Sequence, residues 1–223
     1  MKKVVAGIMT MMLAVGLCGC EVSLAGQGTD AKPVIYLYPE KETEVSVRLD
    51  YDGELTVTWP VYEDGWNVTA RPDGTLLDAE GNAYSYLFWE GVTDAEYDFS
   101  KGFCVAGEDT ADFLRETLAE IGLTPEEYNE FIVYWLPQMQ DNAYNLISFQ
   151  QERYTQAAQL DITPEPDSML RVFMAWQPLD KPLEITPPTF VPFVREGFTA
   201  VEWRLQKYRK QTKKTASAGF LQL

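Results

Sequence analysis

Histidine is absent from all 223 residues. A Ser-His-Asp or Cys-His relay, a His-bearing zinc site and a His proton shuttle are therefore excluded. Basic charge is scarce: 18 Lys and Arg stand against 34 Asp and Glu, a net charge of −16. A nucleic-acid binder needs a basic face to neutralise phosphates, so no nucleic-acid partner is expected. Cysteine occurs only three times. No apolar run reaches the ~20 residues that a membrane-spanning helix needs. What is plentiful is apolar and aromatic side chain, 46% and 13% of the residues. That composition excludes a disordered acidic chain. The length suits one domain that hides roughly 70% of its unfolded surface.

The first twenty residues read as an address label rather than as fold. Lys2 and Lys3 form a positive start, and Val4 to Leu17 form an apolar stretch too short to span a ~30 Å hydrocarbon core. The stretch ends Leu17-Cys18-Gly19-Cys20. This resembles a bacterial lipobox, with an aliphatic residue at −3, a small residue at −1 and cysteine at +1. The resemblance implies a diacylglyceryl thioether on Cys20, which becomes the mature N-terminus. The implied location is the extracytoplasmic face of a bacterial cell membrane, to which Cys20 links the chain as a lipoprotein. Cys18 leaves with the leader and Cys20 carries lipid, so Cys104 stands alone and no intrachain disulfide can form.

Residues 21–31 are small and polar and read as a flexible tether. The expected domain spans residues 32–203. Val34 to Tyr38 is a buried strand stopped by Pro39. Thr43 to Leu49 and Leu55 to Trp59 alternate apolar with polar residues around an Asp50-Tyr-Asp-Gly53 turn, the pattern of a hairpin with one wet face. Trp66 to Arg71, Thr75 to Leu77 and Tyr84 to Trp89 follow as short strands between Gly/Asp turns. The period then changes. Asp109 or Thr110 caps a helix that carries Leu114, Leu118 and Ile121 on one face and ends at Gly122. Thr124-Pro125-Glu126-Glu127 is a capping box, and Phe131, Ile132, Trp135 and Leu136 continue its apolar stripe from Tyr128 to Pro137. Asn145 to Phe149, Met169 to Trp176 and Gly197 to Trp203 return to strand, the second apolar on both faces and so central. The expected class is α+β, an antiparallel β-sandwich-like core with an inserted helical hairpin. From Arg204 the composition flips to six basic and no acidic residues, and residues 204–223 read as a basic, disordered tail.

Several blocks resemble a group of uncharacterised bacterial secreted proteins and lipoproteins. They are Lys32-Pro-Val-Ile-Tyr-Leu-Tyr-Pro39, Asp64-Gly-Trp-Asn67, Pro72-Asp-Gly-Thr-Leu76, Tyr86-Leu-Phe-Trp-Glu-Gly91, Gly102-Phe-Cys-Val105 with Gly107-Glu-Asp-Thr110, and Phe131-Ile-Val-Tyr-Trp-Leu-Pro137 with Tyr144-Asn-Leu146. The resemblance spans about Lys32 to Trp203 and labels a family. It implies no activity and transfers no catalytic residue. Members of that group stop soon after the strand at Trp203, so the basic tail is a departure.

Two chemistries remain open to such a chain. Cys104, ahead of a helix start, could be an activated thiol, but Lys101 is the nearest cation in sequence and no His can act as base; the alternative is a small buried hydrophobe. Glycoside hydrolysis needs only two carboxylates. Asp64, Glu90, Asp94, Asp98, Glu108 and Asp109 supply candidates, Glu90 in Trp89-Glu90-Gly91 the foremost; the alternative is a solvated acidic surface. The acidic turns lack the spacing of a twelve-residue calcium loop, so no metal or cofactor is expected. Trp66 and Trp89, with Tyr36, Tyr38, Trp59 and Tyr86, could stack on a sugar or could fill a core. The reading is a non-catalytic, membrane-anchored module for a glycan or protein ligand. Its alternative is a glycosidase-like carboxylate hydrolase acting on cell-envelope or environmental glycans.

Overall fold

The computed structural model describes residues 28–93, 97–150 and 155–207. The chain forms β1 (Gly28–Tyr38), β2 (Thr43–Tyr51), β3 (Glu54–Trp59), β4 (Trp66–Ala70), β5 (Leu76–Leu77), β6 (Ala83–Tyr84) and β7 (Leu87–Thr93). There follow β8 (Phe103–Ala106), α1 (Thr110–Ile121), α2 (Pro125–Trp135), β9 (Tyr144–Phe149), β10 (Ala158–Thr163), β11 (Ser168–Leu179) and β12 (Thr199–Lys207). A seven-stranded sheet has the order β3-β7-β1-β12-β11-β9-β8, and a five-stranded sheet the order β10-β2-β4-β5-β6.

Strand alternation sorts the side chains into two cores. Ile35 and Leu37 of β1 and Phe173 and Ala175 of β11 meet Val45, Val47, Trp66 and Val68 between the sheets. Val34 and Tyr36 of β1, Val172, Met174 and Trp176 of β11, and Val201, Trp203 and Leu205 of β12 point the other way. There the helices cover them with Leu114, Leu118 and Ile121 from α1 and Phe131 and Trp135 from α2. The seven-stranded sheet is thus dry on both faces at its centre. That is why β11 reads as a continuous apolar run.

The α+β class, the sandwich-like core and the helical pair are as the sequence implies. The α2 cap is the expected capping box: Glu127 N donates to Thr124 Oγ1 at 3.4 Å and Thr124 N to Glu127 Oε2 at 2.8 Å. Gly122, at φ 123°, ends α1. At the start of α1 the side chain of Asp109 caps nothing. A short 3₁₀ turn over Gly107–Asp109 leads in instead, and the Thr110 hydroxyl donates to Ala106 O at 3.0 Å.

Four expectations are corrected. β2 and β3 are no hairpin: β2 pairs with β4 and β10, whereas β3 pairs with β7, so the Asp52-Gly53 turn carries the chain from one sheet to the other. Alternation fixes which face is buried but not which strand lies alongside. The expected strand Tyr84 to Trp89 is likewise two, β6 in one sheet and β7 in the other. The sandwich is not wholly antiparallel, because β11 and β12 run parallel from Ser168↔Thr199 to Trp176↔Lys207.

The fourth correction concerns the domain limits, which lie beyond 32 and 203. Gly28 to Asp30 pair with Thr93 to Gly91, inside the expected tether. β12 continues through Arg204 and Gln206, each 1% exposed. Arg204, expected in a solvated tail, is buried because β12 turns Glu202, Arg204 and Gln206 into the space between the sheets. There the Arg204 guanidinium lies 4.1 Å from the Phe173 ring centroid. The rest of the expected tail, 208–223, and the leader with its lipobox lie outside the described residues.

Candidate functional site

The helical pair covers only part of its sheet face. On the same face β7 and β3 are open. Register places Trp59 opposite Phe88 and Val57 opposite Glu90, with Phe88 opposite Val34 of the helix-side core. Cross-strand partners share a face, so these side chains form a shelf beside α2. Val57 is 49% and Trp59 59% exposed.

Where the shelf meets the start of α2, a cleft of about 620 Å³ opens. That volume suits a small-molecule ligand. Five aromatic residues, Tyr36, Tyr38, Trp59, Tyr84 and Tyr86, and three carboxylates, Asp73, Glu126 and Glu130, line it. Each has a structural cause. Tyr36 and Tyr38 are two positions apart on β1 and so share a face; their rings stack at 6.1 Å with planes 5° apart. Tyr86 meets Tyr36 edge-on at 5.5 Å, and Trp59 meets Tyr84 edge-on at 5.8 Å. Glu126 and Glu130 are one helical turn apart on the outer side of α2, while Glu127 between them turns inward as part of the cap.

Two turns hold the opposite wall. Asp78 accepts from Glu80 N at 3.0 Å, from Asn82 N and Nδ2 at 2.9 Å each, and from the Tyr84 hydroxyl at 2.8 Å. The Asn82 side chain foremost, then Tyr84, brings the Asp78 carboxyl down to about 2. Asp73 accepts from Thr75 N at 2.9 Å, which lowers its pKa. Gly74, at φ 86°, lets this turn lie against Tyr38; a Cβ there would sit 2.8 Å from Tyr38 Cε1.

The cleft is strongly negative. Burial first, and the neighbouring Glu130 carboxylate with it, raises the Tyr36 and Tyr86 phenols above their ordinary range. Burial and then Glu127 do the same to Tyr38, against a downward pull from Arg195. The chain's own cations stand at the margins. Lys32 Nζ lies 3.2 Å from Glu130 Oε2, 4.9 Å from the Tyr134 ring centroid and 5.6 Å from that of Trp203. Its backbone N donates to Glu90 Oε1 at 3.4 Å, at a position where φ is 54°. Arg195 Nη2 lies 2.5 Å from Glu127 Oε2, donates to Gly122 O at 3.1 Å and sets its guanidinium 5.6 Å from the Tyr38 centroid. A second cleft, of about 410 Å³, adjoins the first through Tyr38 and Glu126 and reaches Arg195.

The sequence-based candidates are scattered. Trp66 and Trp89 are 2% and 0% exposed in the core between the sheets. Trp66 Nε1 donates to Pro60 O at 2.8 Å and Trp89 Nε1 to Glu202 Oε1 at 3.3 Å. Their ring faces are spent on packing, and this corrects the choice of these two among the strand aromatics. Glu90 lies on the shelf, bonded to Lys32. Cys104 is half-buried on β8, where its Sγ accepts from Leu183 N at 3.3 Å. Asp98 is a local cap, accepting from Ser100 N at 2.8 Å. Asp94 and Cys20 lie outside the described residues. Among the described residues no three Cys, Asp or Glu side chains gather as a metal site, and no helix is long and apolar enough to cross a membrane.

Glu126 and Glu130 were missed as site residues, although the helical stripe carries the signal. With Phe131 and Trp135 facing the core, positions 126, 130 and 134 flank the buried stripe, and the docking of α2 beside β7 and β3 makes that flank the open one.

No protein-family profile matches the chain, and no solved structure matches it. A protein of Butyrivibrio fibrisolvens, described as an uncharacterized protein in the bglA 3′ region, is 50% identical over 94 residues, which is 40% of this chain and 97% of that relative.

Proposed function

The chain belongs to the same family as the Butyrivibrio fibrisolvens protein, and from that premise we propose a lipid-anchored, extracytoplasmic module that binds a small ligand without transforming it. The ligand site is the cleft between β1, the β6–β7 link and α2. One observation carries this reading: a large, open cleft that joins five aromatic residues to three carboxylates, with a tryptophan held 59% exposed at its edge. An indole left more than half in water forfeits part of the free energy its burial would bring, so its place at the cleft edge suits a partner that covers it. A hydrolytic alternative draws on Glu90 and Glu130, two carboxylates that both contact Lys32.

The site is tested by thermal shift against oligosaccharides, muropeptides and organic amines. A ligand at 100 times its Kd stabilises by about 2.7 kcal/mol. Trp59→Ala should remove that gain at a cost to ligand-free stability of no more than about 1.5 kcal/mol, the worth of its edge contact with Tyr84. A shift that survives Trp59→Ala places the ligand elsewhere. Release of a cleaved product by wild type, lost in Glu90→Gln, favours the hydrolytic alternative. The anchor is tested by Cys20→Ala, which should move the protein out of the membrane fraction or leave it unprocessed; a processed form still held at the membrane would refute lipidation.

A further inference from the structure

Resting on the ligand-binding reading above, we infer that the cleft's ligand is an organic cation, carrying an amine or quaternary ammonium group that sits among Tyr86, Trp59 and Tyr84 and is faced by Asp73 and Glu126. Charge decides between ligand classes. Three carboxylates and no Lys or Arg line the cleft. Among the described residues Glu130 has Lys32 as its ion-pair partner, whereas Asp73 and Glu126 have none. An anionic ligand would be repelled. A neutral one would strip water from like-charged carboxylates and return no countercharge. A cation neutralises them, and the faces of Trp59, Tyr84 and Tyr86 attract it in addition.

The chain displays the same chemistry twice with its own side chains. Lys32 Nζ is held between the Glu130 carboxylate and the rings of Tyr134 and Trp203. The Arg195 guanidinium is held between Glu127 and the Tyr38 ring. Both cradles border the cleft, one at each side of the Tyr36-Tyr38 stack. The cleft between them repeats the combination of carboxylate and ring without a side-chain cation of its own.

A second, independent observation lies in the cleft wall. Tyr36 lines the cleft, is only 6% exposed, and its hydroxyl makes no hydrogen bond among the described residues. The Trp203 indole is close enough to influence it but does not meet hydrogen-bond geometry. A buried hydroxyl left without a partner costs stability. Its oxygen is sealed from solvent in the ligand-free chain, so an amine N–H reaches it only when the wall shifts, and a quaternary ammonium, which has no N–H, does not donate to it.

The test uses the full chain in a sugar-free, non-ionic detergent. Choline chloride and spermidine are titrated by calorimetry and tryptophan fluorescence beside 3,3-dimethylbutan-1-ol, the uncharged isostere of choline, and cellobiose. At least one cation should bind with millimolar or better Kd. Choline should bind at least about tenfold more tightly than its isostere. Glu126→Gln, exposed and outside the cap bonds, should weaken the cation about fivefold. Asp73→Asn should do the same, with a ligand-free melt to check that its turn bond to Thr75 N is kept. Trp59→Ala should weaken it about tenfold. Equal binding of choline and its isostere, or binding of cellobiose alone, overturns the cationic ligand; if Trp59→Ala abolishes that binding, the cleft itself stands. Cation binding that ignores Trp59→Ala and Glu126→Gln alike overturns both readings, as does a folded chain that binds none of the four.

Discussion

Arg171→Met should lower the stability of the chain by about 3–5 kcal/mol, one of the two largest losses expected from a single substitution here. Arg171 and Glu202 are register partners on the parallel pair β11 and β12. Arg171 Nε and Nη2 each lie 2.6 Å from Glu202 Oε2, with the side chains 8% and 1% exposed. Glu202 also accepts from Trp89 Nε1 at 3.3 Å. Met keeps the length of the stem but strands a buried carboxylate, which is the costly half of breaking an ion pair. The double variant Arg171→Met with Glu202→Gln should recover most of the loss. It removes the stranded charge and leaves an acceptor for Trp89. Denaturant melts of the four combinations measure the coupling. A single variant within about 0.5 kcal/mol of wild type would show that Glu202 does not depend on Arg171.

The second large effect is at the helical wall. Phe131 is fully buried, and its ring meets Trp203 edge-on at 5.2 Å. This contact fixes α2 to the sheet, and α2 carries Glu126 and Glu130. Phe131→Ala removes a large ring from a packed site and should cost about 3–5 kcal/mol. Val133, on the same helix but 75% exposed, is the control: Val133→Ala should stay within about 0.5 kcal/mol. Phe131→Ala should also weaken ligand binding in whatever fraction remains folded, because the wall loses its anchor. Unchanged binding would mean that the cleft does not need α2 held in place.

These two sites show what can be read from sequence and what cannot. The capping box, Gly122 and the apolar stripe of α2 are local signals, and each is realised. Alternation marks β2, and continuous apolar runs mark β1 and β11, because a strand's pattern records its burial. Partner choice leaves no such record, which is why β2 and β3 were expected to pair. β10 alternates as well, with Ala158, Leu160 and Ile162 inward and Gln159 and Asp161 outward, but over only six residues of an edge strand the signal is short. Arg204 was placed in a solvated tail because sequence counts its charge but not the Phe173 ring above which it lies. The site was half-legible for a similar reason. Tyr36, Tyr38, Trp59 and Tyr86 stood out together with Trp66 and Trp89, and all six look alike along the chain. Only sheet topology separates the rings around the cleft from the two sealed between the sheets. Glu126 was assigned to the helix start, and its second position, facing the cleft, depends on where α2 docks.

The order in which the strands are made has a consequence for folding during synthesis. Among the described residues β1 is the first strand and β12 the last, and the two lie side by side in the inner part of the seven-stranded sheet. Val34 therefore cannot meet Trp203 until almost all of the described chain has been synthesised. Until then the central sheet has a gap between β1 and β11, and neither of its cores can close. A nascent chain in this condition has no closed core, and its non-local pairing waits for the last described strand. If the chain is delivered as proposed, its native fold is completed on the far side of the membrane, when β12 arrives.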